Sequence, residues 1–185
     1  MDDLPIHLVK SGFDVSEALA QIDAHPEVWN VIPFRTSAYG TPHLKVDDIW
    51  VRYNPWSNFD GDRAKFNGPH DSEWYPEADK LPAVKDMVFQ VMSLVRGERL
   101  GAVLITRIPP GGMVQPHVDG GWHAGYYEKF AIQLRGNPKQ AFCFEETKLV
   151  TLPGDLFWFR NDIVHWVTNE SDEERITLII CIRRS

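Results

Sequence analysis

Basic residues are outnumbered in this chain, and long apolar runs are absent. The 185 residues include 19 lysines and arginines against 26 aspartates and glutamates, so the formal net charge at pH 7 is -7. Because a nucleic-acid backbone attracts a positive field, we do not expect a nucleic-acid partner. No stretch is long enough to cross a bilayer, and residues 1–5 lack the basic start of a signal peptide. Neither a membrane partner nor export is therefore expected.

Cysteine is also scarce, with only Cys143 and Cys181 present. Both lie in strand-like apolar runs, which favours small buried hydrophobic residues over a disulfide. A reduced, cytoplasmic setting is therefore expected. The length suits one domain spanning residues 1–185, and the 43% hydrophobic and 24% charged residues are typical of a folded globular protein. The sequence gives no indication of oligomeric state.

Two helices are predicted in the first half of the chain. The capping pattern at residues 14–17 predicts a helix from about Val15 to Ala24. Pro82 begins a second helix, which ends at Gly97. Between them, residues 54–79 form a long aromatic loop that either covers a site or plugs one end of the fold. The buried stripe of the second helix comprises Val84, Met87, Val88, Val91, Met92 and Val95.

After Gly97 the helical period disappears and short strands alternate with turn residues. The predicted strands are 99–108, 113–118, 129–134, 140–144, 148–152, 155–160, 165–168 and 175–182. Eight such strands favour a mainly β fold with bracing helices, a jelly roll of two facing sheets. We expect residues 98–185 to form this core and to carry the functional site, with residues 1–97 as a helical and loop support.

A candidate metal site begins with His117 and Asp119. If this segment is extended, their side chains leave the same face of a strand and can bind one metal ion. His165 is the third candidate, because it begins a strand-like segment in the same half of the chain, and Asn161 and Asp162 in the preceding turn are candidates to orient its ring. Two histidines and one carboxylate with open positions opposite suit non-haem ferrous iron.

Arg175 lies in a very apolar strand, ten residues after His165. Strand alternation places Arg175, Thr177, Ile179 and Cys181 on one face. An unpaired buried guanidinium is costly, so Arg175 needs an anion. A dicarboxylate cosubstrate would supply one.

Together these motifs resemble the Fe(II)- and 2-oxoglutarate-dependent dioxygenases. The segments 110–117, 143–146 and 154–159, with the spacing from His165 to Arg175, are similar to the aspartyl/asparaginyl β-hydroxylase branch. The resemblance implies a double-stranded β-helix, the cupin-like form of the jelly roll. It also implies that Fe(II), 2-oxoglutarate and O2 are used to hydroxylate an unactivated C–H bond, with release of succinate and CO2.

The same resemblance implies roles for residues around the cosubstrate. Arg175 and Thr177 would bind the far carboxylate of 2-oxoglutarate with Thr106, which stands where the branch has a serine. Lys129 stands where the branch has an arginine for the other end of the cosubstrate, and Ala131 replaces a histidine. Asp119 departs from the animal β-hydroxylases, which have glycine there, and so follows the general dioxygenase pattern.

The substrate would be bound at an aromatic rim beside the iron. We predict that Trp122, His123, Tyr126 and Trp74 form this rim. His123 is also the main rival metal ligand, but a glycine-flanked loop favours contact with substrate or solvent. Aromatic rims bind many kinds of molecule, and the resemblance favours an amino-acid residue, either free or in a peptide or protein.

Two other function classes remain open. A non-redox metal enzyme of cupin type, an isomerase or hydrolase, would have a similar fold and site but no need of Arg175 with Thr106. A binding module for a small acid would use the metal structurally and would tend to add a fourth protein ligand. Dependence on 2-oxoglutarate separates the dioxygenase from both.

Overall fold

Two antiparallel β-sheets form the centre of the molecule in the computed structural model, which describes residues 4–37 and 40–185. The strands are β1 (Ile6–Lys10), β2 (Asp47–Tyr53), β3 (Glu73–Trp74), β4 (Gly97–Ile108), β5 (Met113–His117), β6 (Glu128–Arg135), β7 (Gln140–Phe144), β8 (Lys148–Leu149), β9 (Leu156–Phe159), β10 (His165–Asn169) and β11 (Arg175–Arg184). The α-helices are α1 (Ser16–Ala24), α2 (Arg63–Phe66), α3 (Pro82–Leu94) and α4 (Gly121–Tyr126). Short 3-10 helices span Pro26–Val28, Trp56–Asn58 and Pro76–Lys80.

The larger sheet has seven strands in the order β1-β9-β6-β11-β4-β2-β3, and the smaller has four in the order β5-β10-β7-β8. A hydrophobic cluster between them includes Ala131 and Phe157 from the larger sheet with Val114, Phe142 and Val167 from the smaller. The two sheets therefore face each other, which confirms the predicted jelly roll. Each of the eight strands predicted after residue 97 is present, although the fifth is shortened to Lys148–Leu149.

The first 97 residues contribute more than the predicted helical and loop support. Strand β1 pairs with β9 at one edge of the larger sheet, and β2 pairs with β4 towards the other edge. Strand β1 was not predicted, because its five residues follow no clean alternation and its place depends on a distant partner. The division at residue 97 therefore omits three strands of the larger sheet.

The helices cover the outer face of the larger sheet. Helices α1 and α3 lie where the capping pattern and Pro82 predicted them, and α3 ends at Leu94, just before Gly97 opens β4. Along β11, alternate residues face these helices, as predicted, and the intervening residues face the interior between the sheets. The outward set, all buried under the helices, comprises Ile176, Leu178, Ile180 and Ile182.

Cys143 and Cys181 are both buried and free, as predicted. Burial raises the pKa of the Cys181 thiol to about 11, so this side chain stays neutral at physiological pH. Among the described residues, no helix combines the length and hydropathy that crossing a bilayer requires.

Gly154 joins the N-terminal segment to the turn before β9. Its φ is +89°, and a Cβ atom added there would lie 2.6 Å from the backbone oxygen of Phe13. We expect Gly154→Ala to destabilise the fold by about 2 kcal/mol, because it combines a left-handed backbone with a clash against main chain. Thermal unfolding should show a midpoint lower by roughly 5 °C.

Gly125→Ala is the matched control for this substitution. Gly125 lies in α4, and a Cβ atom there would meet nothing within 4 Å. Alanine at this position should leave the midpoint unchanged or slightly raised. Equal midpoints for the two variants would contradict the strain assigned to Gly154.

Candidate functional site

The three predicted metal ligands converge at one end of the smaller sheet. His117 ends β5 and lies directly opposite His165, the first residue of the neighbouring strand β10. Asp119 follows β5 by two residues, and its backbone N–H donates to the Asn161 carbonyl oxygen at 2.9 Å. Sheet register therefore sets the two imidazoles, and a loop hydrogen bond fixes the carboxylate beside them.

The spacing of the ligand atoms fits a single ion. His117 Nε2 lies 3.5 Å from Asp119 Oδ1, and His165 Nε2 lies 4.0 Å from Asp119 Oδ2. One candidate ligand atom from each residue falls within 4.8 Å of the others, and within residues 4–37 and 40–185 this is the only group of three His, Cys, Asp or Glu side chains that does so. The arrangement matches a two-histidine, one-carboxylate metal centre.

Backbone carbonyl groups orient both imidazole rings. Nδ1–H of His117 donates to the Gln115 oxygen at 2.8 Å, and Nδ1–H of His165 donates to the Ile163 oxygen at 2.9 Å. Each Nε2 then carries the lone pair, which could bind a metal ion. Burial lowers the pKa of His165, which keeps this ligand neutral at pH 7.

Asn161 and Asp162 do not orient the His165 ring, contrary to the prediction. The Asn161 side chain donates to the Ala124 carbonyl oxygen at 3.0 Å, and Asp162 pairs with Arg160. A carbonyl two residues before each histidine already occupies Nδ1. Asn161 instead supports the site through its own backbone oxygen, which holds Asp119.

Lys129, which the resemblance places at the cosubstrate, lies beside the triad and lines the same cavity. Its Nζ donates to Asp119 Oδ2, so the ammonium group contacts a metal ligand directly. Burial would raise the pKa of Asp119, but the charge of Lys129 and its hydrogen bond to the carboxylate lower that pKa well below its usual value. Lys129 therefore keeps the carboxylate ionised.

We expect Lys129→Met to destabilise the metal-free protein, because it leaves the Asp119 charge without its partner. The cost should be about 2 kcal/mol, below the range for a fully buried pair, since 20% of the Asp119 side chain is exposed. Mn(II) should then raise the unfolding midpoint of Lys129→Met more than that of wild type, because the ion becomes the partner of Asp119. Thermal unfolding with and without Mn(II) measures both effects.

The exposed Lys148 on β8 provides the control for this experiment. Lys148→Met should behave as wild type with and without Mn(II). An unchanged midpoint for metal-free Lys129→Met would show that the ion pair does not support Asp119.

A cavity lies between the sheets beside the triad. Its walls are largely apolar, and Arg175 and Thr177 of β11 line it with Thr106 of β4. We call it the inner cavity. Its lining comprises Arg35, His43, Thr106, Ile108, Val114, His117, Asp119, Lys129, Ala131, Phe142, Phe157, Phe159, His165, Val167, Arg175, Thr177 and Ile179.

Arg175 is a buried cation that has no counter-ion among the described residues. It is 1% exposed, and its Nε and one terminal nitrogen have no hydrogen-bond partner in the part of the chain that the structure describes. Burial lowers the pKa of Arg175 to about 10, so the guanidinium stays charged at pH 7. An anion bound in the inner cavity would compensate this charge.

Thr106 and Thr177 lie opposite each other on β4 and β11, and both line the inner cavity. The Thr106 hydroxyl accepts a hydrogen bond from Arg35 at 2.9 Å, and the Thr177 hydroxyl lies 3.5 Å from Gln133 Oε1. Both hydroxyls are therefore positioned near Arg175 by neighbouring polar groups.

Arg35 and His43 are functional candidates that the sequence reasoning missed. Arg35 forms a bidentate ion pair with the buried Asp48, and His43 packs its ring against that of His117 at 5.0 Å. Both line the inner cavity. The sequence offered little indication of either residue, because neither lies at a recognisable spacing from the triad. The loop before β2 brings both residues to the cavity.

A second, wider cavity opens from the triad towards solvent, and we call it the outer cavity. It shares five residues with the inner cavity, including His117, Asp119 and Lys129. Its other walls come mainly from the first half of the chain. These walls include Phe34, Trp50, Tyr53, Arg63, Asn67, Ala102, Leu104 and His123.

Of the predicted substrate rim, only His123 lines the outer cavity in the described chain. His123 is buried, and its Nε2 accepts the Ala102 N–H at 3.1 Å, so it is neither a metal ligand nor a solvent-facing group. Trp122 and Tyr126 stack on each other in a neighbouring aromatic cluster. Trp74 lies elsewhere, packed against Phe89 of α3, because β3 places it towards the helices.

Comparison with solved structures gives the same fold. An oxidoreductase of the 2OG-Fe(II) oxygenase family from Burkholderia pseudomallei matches with a TM-score of 0.63 at 12% identity, over 99% of this chain and 87% of that one. A viral collagen prolyl hydroxylase from Paramecium Bursaria Chlorella virus-1 matches with a TM-score of 0.58 at 13% identity, over 100% of this chain and 98% of that one. A Pseudomonas putida prolyl-4-hydroxylase matches with a TM-score of 0.53 at 13% identity, over 98% of this chain and 93% of that one.

Comparison at the sequence level identifies the family. A search of curated proteins gives no match. The family model described as aspartyl/asparaginyl beta-hydroxylase matches residues 15–185, which include the triad, Arg175 and every strand of the two sheets except β1. The chain therefore belongs to the aspartyl/asparaginyl β-hydroxylase family, a family of hydroxylases.

Proposed function

We propose that this protein is an Fe(II)- and 2-oxoglutarate-dependent dioxygenase that hydroxylates an unactivated C–H bond of an amino-acid residue, free or in a polypeptide, with release of succinate and CO2. One observation carries the proposal. A two-histidine, one-carboxylate group lies at the wall of a cavity that also holds Arg175, a buried guanidinium without a counter-ion. A ferrous ion and a dicarboxylate would satisfy the two groups together.

The donor set fits ferrous iron. Nε2 of His117, Nε2 of His165 and a carboxylate oxygen of Asp119 would be its three protein ligands, which leaves further positions for small molecules. With 2-oxoglutarate and O2, the bound iron would supply the oxidising chemistry that protein side chains lack. The backbone carbonyl partners of both Nδ1 atoms hold the rings in place for this role.

The inner cavity fits 2-oxoglutarate. Arg175 would pair with its far carboxylate through the guanidinium fork, with the hydroxyls of Thr106 and Thr177 as further hydrogen-bonding groups. Lys129 lies at the metal end, where its positive charge would act on the near carboxylate. The apolar walls, among them Phe157 and Phe159, would keep water away from the reacting groups.

Arg175 is the reason to favour this function over a non-redox cupin enzyme, which has no use for a buried cation beside the metal. A small-acid binding module would tend to add a fourth protein ligand to its metal, whereas the group in the described residues has three. A buried cation without a partner costs folding free energy, and a bound cosubstrate would repay that cost.

Anaerobic addition of Fe(II) and 2-oxoglutarate to the wild-type protein tests the proposal. A charge-transfer band in the visible region should appear, and admission of O2 should then convert bound 2-oxoglutarate to succinate. Succinate added in place of 2-oxoglutarate serves as the control, because it lacks the keto oxygen and should give no band. A wild-type protein that binds Fe(II) but forms no band with 2-oxoglutarate would rule out the proposed function.

A further inference from the structure

The outer cavity has an unusual balance of charge for an acidic protein. Three cations line it: Arg35, Lys129 and Arg63. Its only carboxylate, counting the described residues, is Asp119, which the metal centre uses. A ligand in this cavity therefore meets a positive environment although the chain carries a net charge of -7.

Only one of the three cations is free to receive a ligand. Arg35 pairs with Asp48, and Lys129 pairs with Asp119. The Arg63 guanidinium forms no ion pair or hydrogen bond with any residue that the structure describes. Its guanidinium carbon lies 4.1 Å from the centre of the Phe34 ring, and this cation–π contact holds the charge at the cavity wall.

Two buried ring nitrogens on the same wall also lack partners. Trp50 Nε1 and His43 Nδ1 make no hydrogen bond with described residues, although Trp50 is only 8% exposed and His43 only 7%. Asn67 accepts a hydrogen bond from the Tyr53 hydroxyl at 2.8 Å, which leaves its amide N–H groups as donors. The indole can only donate, and the amide N–H groups add two more donors, so the cavity favours a ligand rich in acceptor oxygens.

The remaining wall is aromatic, formed by Phe34, Trp50 and Tyr53. We propose that the outer cavity is the substrate site and that its substrate is an organic acid, whose carboxylate pairs with Arg63 while its apolar part lies on the aromatic wall. This inference rests on the proposed function. It favours a free amino acid, or a residue with a free carboxylate, over an uncharged residue inside a polypeptide.

Pairs of N-acetyl-amino acids and their primary amides test this inference, because the members of a pair differ by one charge. The acids differ in their apolar side chains and are N-acetyl-phenylalanine, N-acetyl-leucine and N-acetyl-proline. N-acetyl-aspartate amide is added because its carboxylate lies on the side chain. Calorimetric titration into Mn(II)-loaded protein with 2-oxoglutarate measures binding. At least one acid should bind about tenfold or more tightly than its amide.

Arg63→Gln should remove this preference for the acid. Lys65→Gln is the matched control, because Lys65 lies on the same helix, is exposed and pairs with Asp60. That variant should keep the preference. Three outcomes would each overturn the inference. Wild type could bind acids and amides equally, or it could bind no acid even at about tenfold molar excess of acid over protein. Arg63→Gln could also keep the wild-type preference for the acid.

The visible band separates this inference from the proposed function. Arg63→Gln should form the wild-type band with Fe(II) and 2-oxoglutarate, because Arg63 does not line the inner cavity. A normal band with no acid preference would leave the proposed function intact and remove the acid site. If acid binding depends on Arg63 but the protein forms no band, the acid site stands and the proposed function is ruled out.

Discussion

His117→Ala or Asp119→Asn should abolish the visible band formed with Fe(II) and 2-oxoglutarate and should stop succinate formation. The loss of activity should exceed the roughly 10- to 100-fold that removal of an outer hydrogen-bond partner costs at a metal site. The reason is the small ligand set: the structure brings three ligands together, and two cannot hold the ion in a defined geometry. Anaerobic visible spectroscopy and a succinate assay measure the two effects.

The fold of these variants must be checked separately. Both side chains lie at the cavity wall and are partly exposed, so circular dichroism should show an intact β-sheet spectrum. If His117→Ala unfolds, His117→Gln retains most of the volume and still removes the imidazole. His25→Ala is the control, because His25 is partly exposed, pairs with Glu27 and lines neither cavity. A variant that keeps its fold and its band would contradict the assignment of that ligand.

The triad was predictable because each of its members is fixed by a short-range rule. The two-residue step from His117 to Asp119 and the strand-like segment that starts with His165 can be read from the sequence, and strand alternation on β11 separates Arg175 from the apolar residues beside it. Period-two patterns and turn residues likewise predicted the strands after residue 97. What the sequence left open was how the distant segments meet.

The walls of the cavities illustrate this limit. Trp74 was predicted at the substrate rim because it is aromatic and lies in a long loop, but its pairing opposite Arg52 places it under the helices. Arg63 of the same loop reaches the outer cavity. Both outcomes depend on which strand the loop joins and at which register, and a period-two pattern carries no such information.

Lys129 shows a second kind of limit. The resemblance placed a cation for the cosubstrate at this position of β6, and the structure adds that the Lys129 ammonium group pairs with Asp119. A lysine ammonium is a compact charge on a flexible stem, so its residue position does not determine which anion it meets. Only the three-dimensional arrangement of the carboxylates does.

Arg175→Met should raise the 2-oxoglutarate concentration needed for half-maximal succinate formation by about 100-fold or more, because it removes a charge-assisted pair in an apolar cavity. Arg175→Lys should give a smaller increase, since an ammonium group keeps the charge but loses the planar fork. Arg183→Met is the control on the same strand, where the side chain is exposed. An unchanged requirement in Arg175→Met would contradict the placement of the far carboxylate.

The same substitution should stabilise the protein when no cosubstrate is bound. Two donor nitrogens of Arg175 are buried without partners, and methionine would relieve a cost of about 1–3 kcal/mol. The unfolding midpoint of Arg175→Met should therefore rise by roughly 5 °C, while the further rise that 2-oxoglutarate gives to Mn(II)-loaded wild type should disappear. A purely structural arginine would give the opposite sign, a lower midpoint in the variant. The direction of the change in the unfolding midpoint therefore decides between two roles. Either Arg175 stabilises the fold, or it destabilises the ligand-free fold and serves to bind a ligand.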